Sequence, residues 1–210
     1  MKLLPAKGLY AITDCESLTT DLLVSKTEQI LRSGAVMLQY RNKYEDFVTR
    51  ESQARELKIL CDKYNVPFII NDDIYLAAAI NADGVHLGKE DQNCAQARAI
   101  FGKQMIIGIS CYDDLGQATA AENAGANYIA FGAFFPTDTK KDTVKATPEL
   151  IREAKQKLNL PVIAIGGITP ENGKVLIDAG ADFLAVVGGI YGPANPAQVT
   201  KSYITLFNNN

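Results

Sequence analysis

The chain has 210 residues, 47% hydrophobic and 21% charged, which is enough to bury a large core and too apolar for a disordered polypeptide. Its formal net charge is −3 with no basic block, which excludes a general electrostatic pull towards nucleic acid and points to small-molecule partners. No apolar run approaches the about 18 residues of a membrane span, and Met1 to Leu9 holds no secretory apolar core, so cytoplasmic residence without a membrane partner is expected.

Eight short apolar runs follow in chain order: Gly8 to Thr13, Ala35 to Gln39, Pro67 to Ile70, Asp83 to Leu87, Met105 to Ile109, Asn127 to Phe131, Pro161 to Ile165 and Phe183 to Val187. They are rich in Ile, Val and Ala and carry almost no internal charge, as parallel strands buried on both faces do. Helical periodicity lies between them. In Phe47 to Tyr64 the apolar residues Val48, Ala54, Leu57, Leu60 and Cys61 recur at three and four residue steps. The third and fourth runs start so close together that the intervening helix must be short. Asp113 to Asn123 reads as a helix that stops at Gly125, and Thr147-Pro148-Glu149 reads as an N-cap with proline at the first helical position. Thr169-Pro170-Glu171 repeats that signature, and Phe207 to Asn210 is expected to fray.

Strand and helix alternating eight times over this length predict a single (β/α)₈ TIM barrel spanning residues 1–210, without a domain boundary or linker. An open doubly wound sheet is the competing architecture, but it usually carries a phosphate loop after its first strand, and Gly8 to Asp14 has none. In a barrel, Arg41, Lys43, Asp72, Asp91, Ser110, Lys140, Gly167 and Gly188 converge on the rim at the strand C-termini, where such folds place their chemistry.

The rim residues divide by chemistry. Ala164 to Ile168 and Val186 to Ile190 each contain a Gly-Gly pair, and the loops after strands seven and eight of a barrel frequently hold phosphate through backbone N–H groups. Arg41 and Lys43, placed on one side by extended backbone, suit a multiply charged anion, although two ordinary surface charges fit the same spacing. Asn71-Asp72-Asp73 and Glu90-Asp91 offer hard oxygens from neighbouring loops, which suits Mg²⁺ bridging a diphosphate; Asp73 reads better as the cap of the short third helix. Thr137, Thr139 and Lys140 form a polar loop able to bind phosphate or neutralise a departing one, or simply a turn.

No strand carries a lysine, which disfavours Schiff-base chemistry. His86, the only histidine, excludes a histidine-rich metal site and is either a hydrogen-bonded core residue or a substrate-facing one. Ser110 lacks an adjacent histidine and acid in sequence and reads as a phosphate or ring contact. Cys15, Cys61, Cys94 and Cys111 have neither metal nor disulfide spacing and read as small buried thiols.

Together the segments Tyr10 to Asp14, Gln39 to Lys43, Asn71-Asp72-Asp73, Asp83 to Gly88 with Asp91, Gly108-Ile109-Ser110, Phe135 to Lys140 and Ile165 to Ile168 resemble the motifs of the thiamine phosphate synthase family, in order and over nearly the whole chain. The resemblance implies transfer of the 4-amino-2-methylpyrimidin-5-ylmethyl group from its diphosphate to 4-methyl-5-(2-phosphooxyethyl)thiazole, through a dissociative, carbocation-like step that releases diphosphate. It implies that Arg41, Lys43, Asn71, Ser110 and Lys140 surround the diphosphate, with Arg41, Lys43, Ser110 and Lys140 acting in catalysis, and that Asp72 and Asp91 ligate Mg²⁺. Gln39 and His86 would face the pyrimidine, and Thr137, Thr139, Gly167, Val187 and Gly188 would hold the thiazole phosphate. The chain departs from the family pattern at Gly188-Gly189, where many members have Ser-Ala, at Lys89, where glutamine is frequent, and after Lys140, where a glycine is frequent. A thiazole tautomerase of the same barrel type, or a silent barrel that binds thiamine precursors, is the alternative; self-association into a homo-oligomer is compatible with either.

Overall fold

The computed structural model describes residues 2–88, 94–136 and 146–208. Its strands are β1 (Gly8–Ile12), β2 (Met37–Tyr40), β3 (Phe68–Asn71), β4 (Gly84–Leu87), β5 (Ile106–Tyr112), β6 (Tyr128–Phe131), β7 (Val162–Ile165) and β8 (Phe183–Val186). They pair in parallel in sequence order, and β8 returns to β1 to close the barrel. Every apolar run predicted as a strand forms one. Helices α1 (Thr20–Arg32), α2 (Phe47–Lys63), α3 (Ile74–Ala79), α4 (Cys94–Phe101), α5 (Leu115–Asn123), α6 (Pro148–Lys157) and α7 (Lys174–Asp178) alternate with the strands, and a short α8 (Gly188–Tyr191) and α9 (Pro196–Asn208) complete the chain.

Local chemistry fixes these boundaries. Asp46 caps α2 by accepting from Thr49 N at 2.8 Å, Asp73 caps α3 by accepting from Leu76 N at 2.9 Å, and Asp114 caps α5 by accepting from Gly116 N at 2.7 Å. Asp114 as the cap is why that helix starts at Leu115 rather than at Asp113. At their other ends α1, α2, α3, α5 and α7 stop on a residue with left-handed backbone, Gly34, Asn65, Asn81, Gly125 and Gly180. The next N–H then bonds back into the helix, as in Val66 N to Cys61 O at 2.8 Å and Ala82 N to Ala77 O at 2.9 Å. One repeated turn thus delivers these five helices into the strands that follow.

Two expectations change. Thr169-Pro170-Glu171 does not open α7 directly: Thr169 O accepts from both Asn172 N and Gly173 N while Asn172 Oδ1 accepts from Thr169 N, and this closed turn delays the regular helix to Lys174. Phe207 does not fray. It lies within α9, only 7% exposed and packed on the core, because burying its ring outweighs the entropy of a free end.

Apolar side chains divide between two spaces. Tyr10, Ile12, Met37, Ile69, Ile106, Tyr128, Ile163 and Phe183 fill the barrel interior, whereas the alternate strand residues, such as Leu9, Leu38, Phe68 and Val85, pack outwards against the helices. Burying one such side chain contributes about 1.5–3 kcal/mol. At the strand N-termini, polar residues just before β4, β6 and β8 stitch neighbours together: Asp83 accepts from Phe68 N at 3.0 Å, Asn127 from Ile107 N at 2.8 Å and Asp182 from Val162 N at 2.7 Å.

Candidate active site

Strand alternation turns Gln39, His86 and the Tyr10 and Tyr128 rings towards the barrel axis, just beneath the C-terminal rim. They form one hydrogen-bonded chain. Gln39 Nε2 donates to the Tyr10 hydroxyl at 2.8 Å, the Tyr10 and Tyr128 hydroxyls lie 3.0 Å apart, Tyr128 Oη is 3.1 Å from His86 Nδ1, and His86 Nε2 is 2.8 Å from Ser110 Oγ. The two phenol rings meet edge to face, and the imidazole stacks on the Tyr128 ring at 5.6 Å. Gly108 permits this packing, since a Cβ there would overlap the Tyr128 ring and hydroxyl.

Burial sets the protonation of these groups. It holds His86 down to about 4, only partly opposed by the nearby Asp72 carboxylate, so the imidazole is neutral at physiological pH. It pushes the Tyr10 and Tyr128 phenols well above their usual value, so both keep their protons. His86 therefore belongs to the hydrogen-bonded core and to the wall of the site at once.

Above this layer stand the charged groups. Asp72, in left-handed backbone at φ 63°, bonds through its N–H to His86 O at 2.8 Å and pairs its carboxylate with Lys43 Nζ at 3.0 Å. Asn71 ends β3 directly beside His86 in register. The adjacent Asp73 turns away to cap α3 and pair with Arg50 at 3.0 Å, as expected of the cap. Arg41 is held at the end of β2 by Thr13, whose Oγ1 accepts from Arg41 N at 2.8 Å. Arg41 and Lys43 part company here: Lys43 reaches towards β3, while Arg41 lines a recess of about 230 Å³ with Thr13, Tyr44, Val187, Gly188 and the acidic Asp14 and Glu16.

Gly188 begins α8, is exposed, and among the described residues nothing stands within 4 Å of where its Cβ would lie. Gly166 and Gly167 have φ of 105° and 62°, and the loop after β6 packs so closely on them that a Cβ at Gly167 would overlap the carbonyls of Phe135 and Pro136. The glycine pairs therefore do different work: the first seats one loop on another, the second leaves backbone exposed at the recess. All four cysteines are free, three of them buried, and burial pushes the Cys15 thiol up to about 11. Asp91, Thr137, Thr139, Lys140 and Lys89 lie outside the described residues.

Residue-type reasoning gave no role to Tyr10, Tyr128, Thr13 or Gly108. Tyrosine in an apolar strand reads as core filling, and only the pairing of β5 with β6 places Gly108 opposite Tyr128. The inward alternation of β6 is the one signal that would have singled out Tyr128.

A parallel eight-stranded barrel with cations, a carboxylate, a buried neutral histidine and exposed glycine backbone around one rim defines a barrel enzyme that handles phosphorylated small molecules. The chain matches the thiamine monophosphate synthase family over residues 9–190 and belongs to it. It is 49% identical over 197 residues to a thiamine-phosphate synthase of Nitrosococcus oceani, spanning 94% of this chain and 91% of the relative. It is 50% identical over 198 residues to the thiamine-phosphate synthase of Xanthomonas campestris, spanning 94% of each. Among solved structures, thiamine phosphate pyrophosphorylase from Pyrococcus furiosus superposes with a TM-score of 0.88 at 30% identity, covering 97% of this chain and 96% of that one. Among the described residues no helix is long and apolar enough to cross a membrane.

Proposed function

We propose that the chain catalyses the synthase reaction of its family, joining the pyrimidine methylene diphosphate to the thiazole phosphate with release of diphosphate. The observation that carries this reading is the Lys43–Asp72 pair, tied through the Asp72 N–H to His86, whose ring in turn is hydrogen bonded to Ser110. Cation, hard oxygen donor and hydroxyl at one place suit a diphosphate leaving group. A tautomerase needs none of these, and position 111, where its acid–base histidine is expected, holds a cysteine whose buried thiol is pushed up to about 12. A silent precursor-binding barrel would have no use for the Asp72 carboxylate.

Asp72 fits Mg²⁺ by chemistry: it is a half-buried carboxylate at the rim, and this cation takes one or two such ligands together with water and phosphate oxygens. Asp72, with Asp91, would hold the ion, which would supply positive charge to the diphosphate. The protein's own groups do the rest. Arg41, Lys43 and Lys140 neutralise charge on the departing diphosphate, and Asn71 and Ser110 donate hydrogen bonds to it. Gln39 and His86 orient the pyrimidine, whose ring amino group stabilises the cation left on the methylene. Gly167, the exposed backbone at Val187 and Gly188, and Thr137 and Thr139 hold the thiazole phosphate so that its ring nitrogen lies in line for capture. No protein nucleophile is required. Both substrates carry charges that do not cross membranes, in keeping with work in the cytoplasm.

The test is direct. Purified protein with both precursors and Mg²⁺ is expected to form thiamine phosphate and diphosphate in equal amounts, and chelation of the metal to stop it. Asp72→Ala and Lys140→Ala are expected to lose at least about a hundredfold in kcat/KM. Undiminished turnover by either variant overturns its assigned role, and absence of product from the parent chain overturns the reading.

A further inference from the structure

The chain of hydrogen bonds across the barrel ends on two groups with a place in the proposed chemistry, Gln39 and Ser110, but its middle members, Tyr10 and Tyr128, have none. Counting protons gives the chain a direction. The Gln39 amide nitrogen only donates, and it donates to Tyr10 Oη. A phenol has a single proton, and the other partner of Tyr10 is Tyr128 Oη. Tyr128 then has its own proton for His86 Nδ1, which makes Nδ1 the acceptor and leaves the ring proton on Nε2. Nε2–H donates to Ser110 Oγ, whose own proton is thereby turned away from the barrel interior.

We propose that Tyr10 and Tyr128 are positioning residues that fix His86 as the Nε2–H tautomer and so aim the Ser110 hydroxyl proton at an anionic ligand on the rim. With the reverse polarity, Ser110 would donate inwards and present only lone pairs to an anion, and Gln39 would have to accept from Tyr10. A doubly protonated ring would direct two donors at Tyr128 Oη and strand the Tyr128 proton in the barrel interior, at the cost of a buried unsatisfied donor. The identity of the anion as diphosphate rests on the proposed function; the direction of the hydrogen bonds does not.

His86 is the only histidine, so ¹⁵N-histidine labelling gives a single imidazole to observe. In the full-length, substrate-free protein, long-range ¹H–¹⁵N spectra are expected to give a protonated Nε2 and a bare Nδ1. Tyr128→Phe, which keeps the ring packing, is expected to mix the tautomers and to lower kcat about tenfold, the equivalent of one hydrogen bond, with the KM of both substrates little changed. Tyr10→Phe, one link further away, is expected to change both in the same direction and less. Because the relay acts through the serine, Ser110→Ala with Tyr128→Phe is expected to lose no more kcat than Ser110→Ala alone. An Nδ1–H tautomer in the parent protein, a tautomer unmoved by Tyr128→Phe, or independent losses in the double variant would each overturn the proposal. The expected spectra from a protein that forms no thiamine phosphate would support the relay and overturn the reaction instead.

Discussion

Gly108 and Tyr128 stand opposite one another in the β5–β6 pair, and the missing side chain of the first is the space occupied by the ring of the second. Gly108→Ala is expected to destabilise the fold by about 1–3 kcal/mol, the usual penalty of overpacking, and to lower activity further by displacing the Tyr128 hydroxyl from His86. Denaturant unfolding alongside turnover checks this. A variant as stable and active as its parent would show that the ring does not need that space.

At position 188 the prediction has the opposite sign. A Cβ meets nothing within 4 Å among the described residues, so Gly188→Ser fits without strain against them and restores a hydroxyl beside the recess. Stability should change by no more than about 0.5 kcal/mol. Affinity for the thiazole phosphate should rise about threefold to tenfold, as one added hydrogen bond gives. Isothermal titration with the phosphorylated and the unphosphorylated thiazole decides it, since only the former should gain.

Stability should also respond to His86. The imidazole is held at about 4 when folded, against 6.5 when unfolded, so between those values the unfolded chain takes up a proton that the folded chain refuses. The contribution is complete above pH 6.5 and is lost as pH falls through that window, on the order of 3 kcal/mol in all. Unfolding midpoints at pH 7 and pH 4.5 in a chelating buffer, compared with those of His86→Gln, isolate this effect; an identical pH dependence in the two proteins would contradict it.

The far end of the barrel gives a contrasting case. Asp83, 3% exposed, accepts from Phe68 N at 3.0 Å and Lys2 N at 3.2 Å and faces the Lys2 and Lys58 ammonium groups at 3.5 and 3.8 Å. Asp83→Ala is expected to cost about 3 kcal/mol by leaving those donors unpaired, while the folded fraction keeps its kcat. A loss of kcat in fully folded variant would show that this end communicates with the rim.

The fold was legible because its signals are local. Apolar runs, Asp73 as a cap, and Pro148 at a first helical position each act within a few residues, and each forms as read. Glycine pairs and cations at strand ends drew the rim for the same reason. What sequence concealed is lateral. Nothing in the spacing of Tyr10, Gln39, His86 and Tyr128 says that their side chains touch; only barrel closure and register bring them into one line. Arg41 and Lys43 illustrate the same limit, since alternation beyond β2 stops governing direction once Thr13 captures the Arg41 backbone.

The seam between β1 and β8 carries a consequence for synthesis. Gly8 N bonds Asp182 O, and Tyr10 lies beside Ala185, so the first strand made finds its second neighbour only when almost the whole polypeptide has emerged. During translation its edge lies open while seven further strands are added, which makes that edge the natural place for a nascent-chain chaperone to bind or for misassociation to begin.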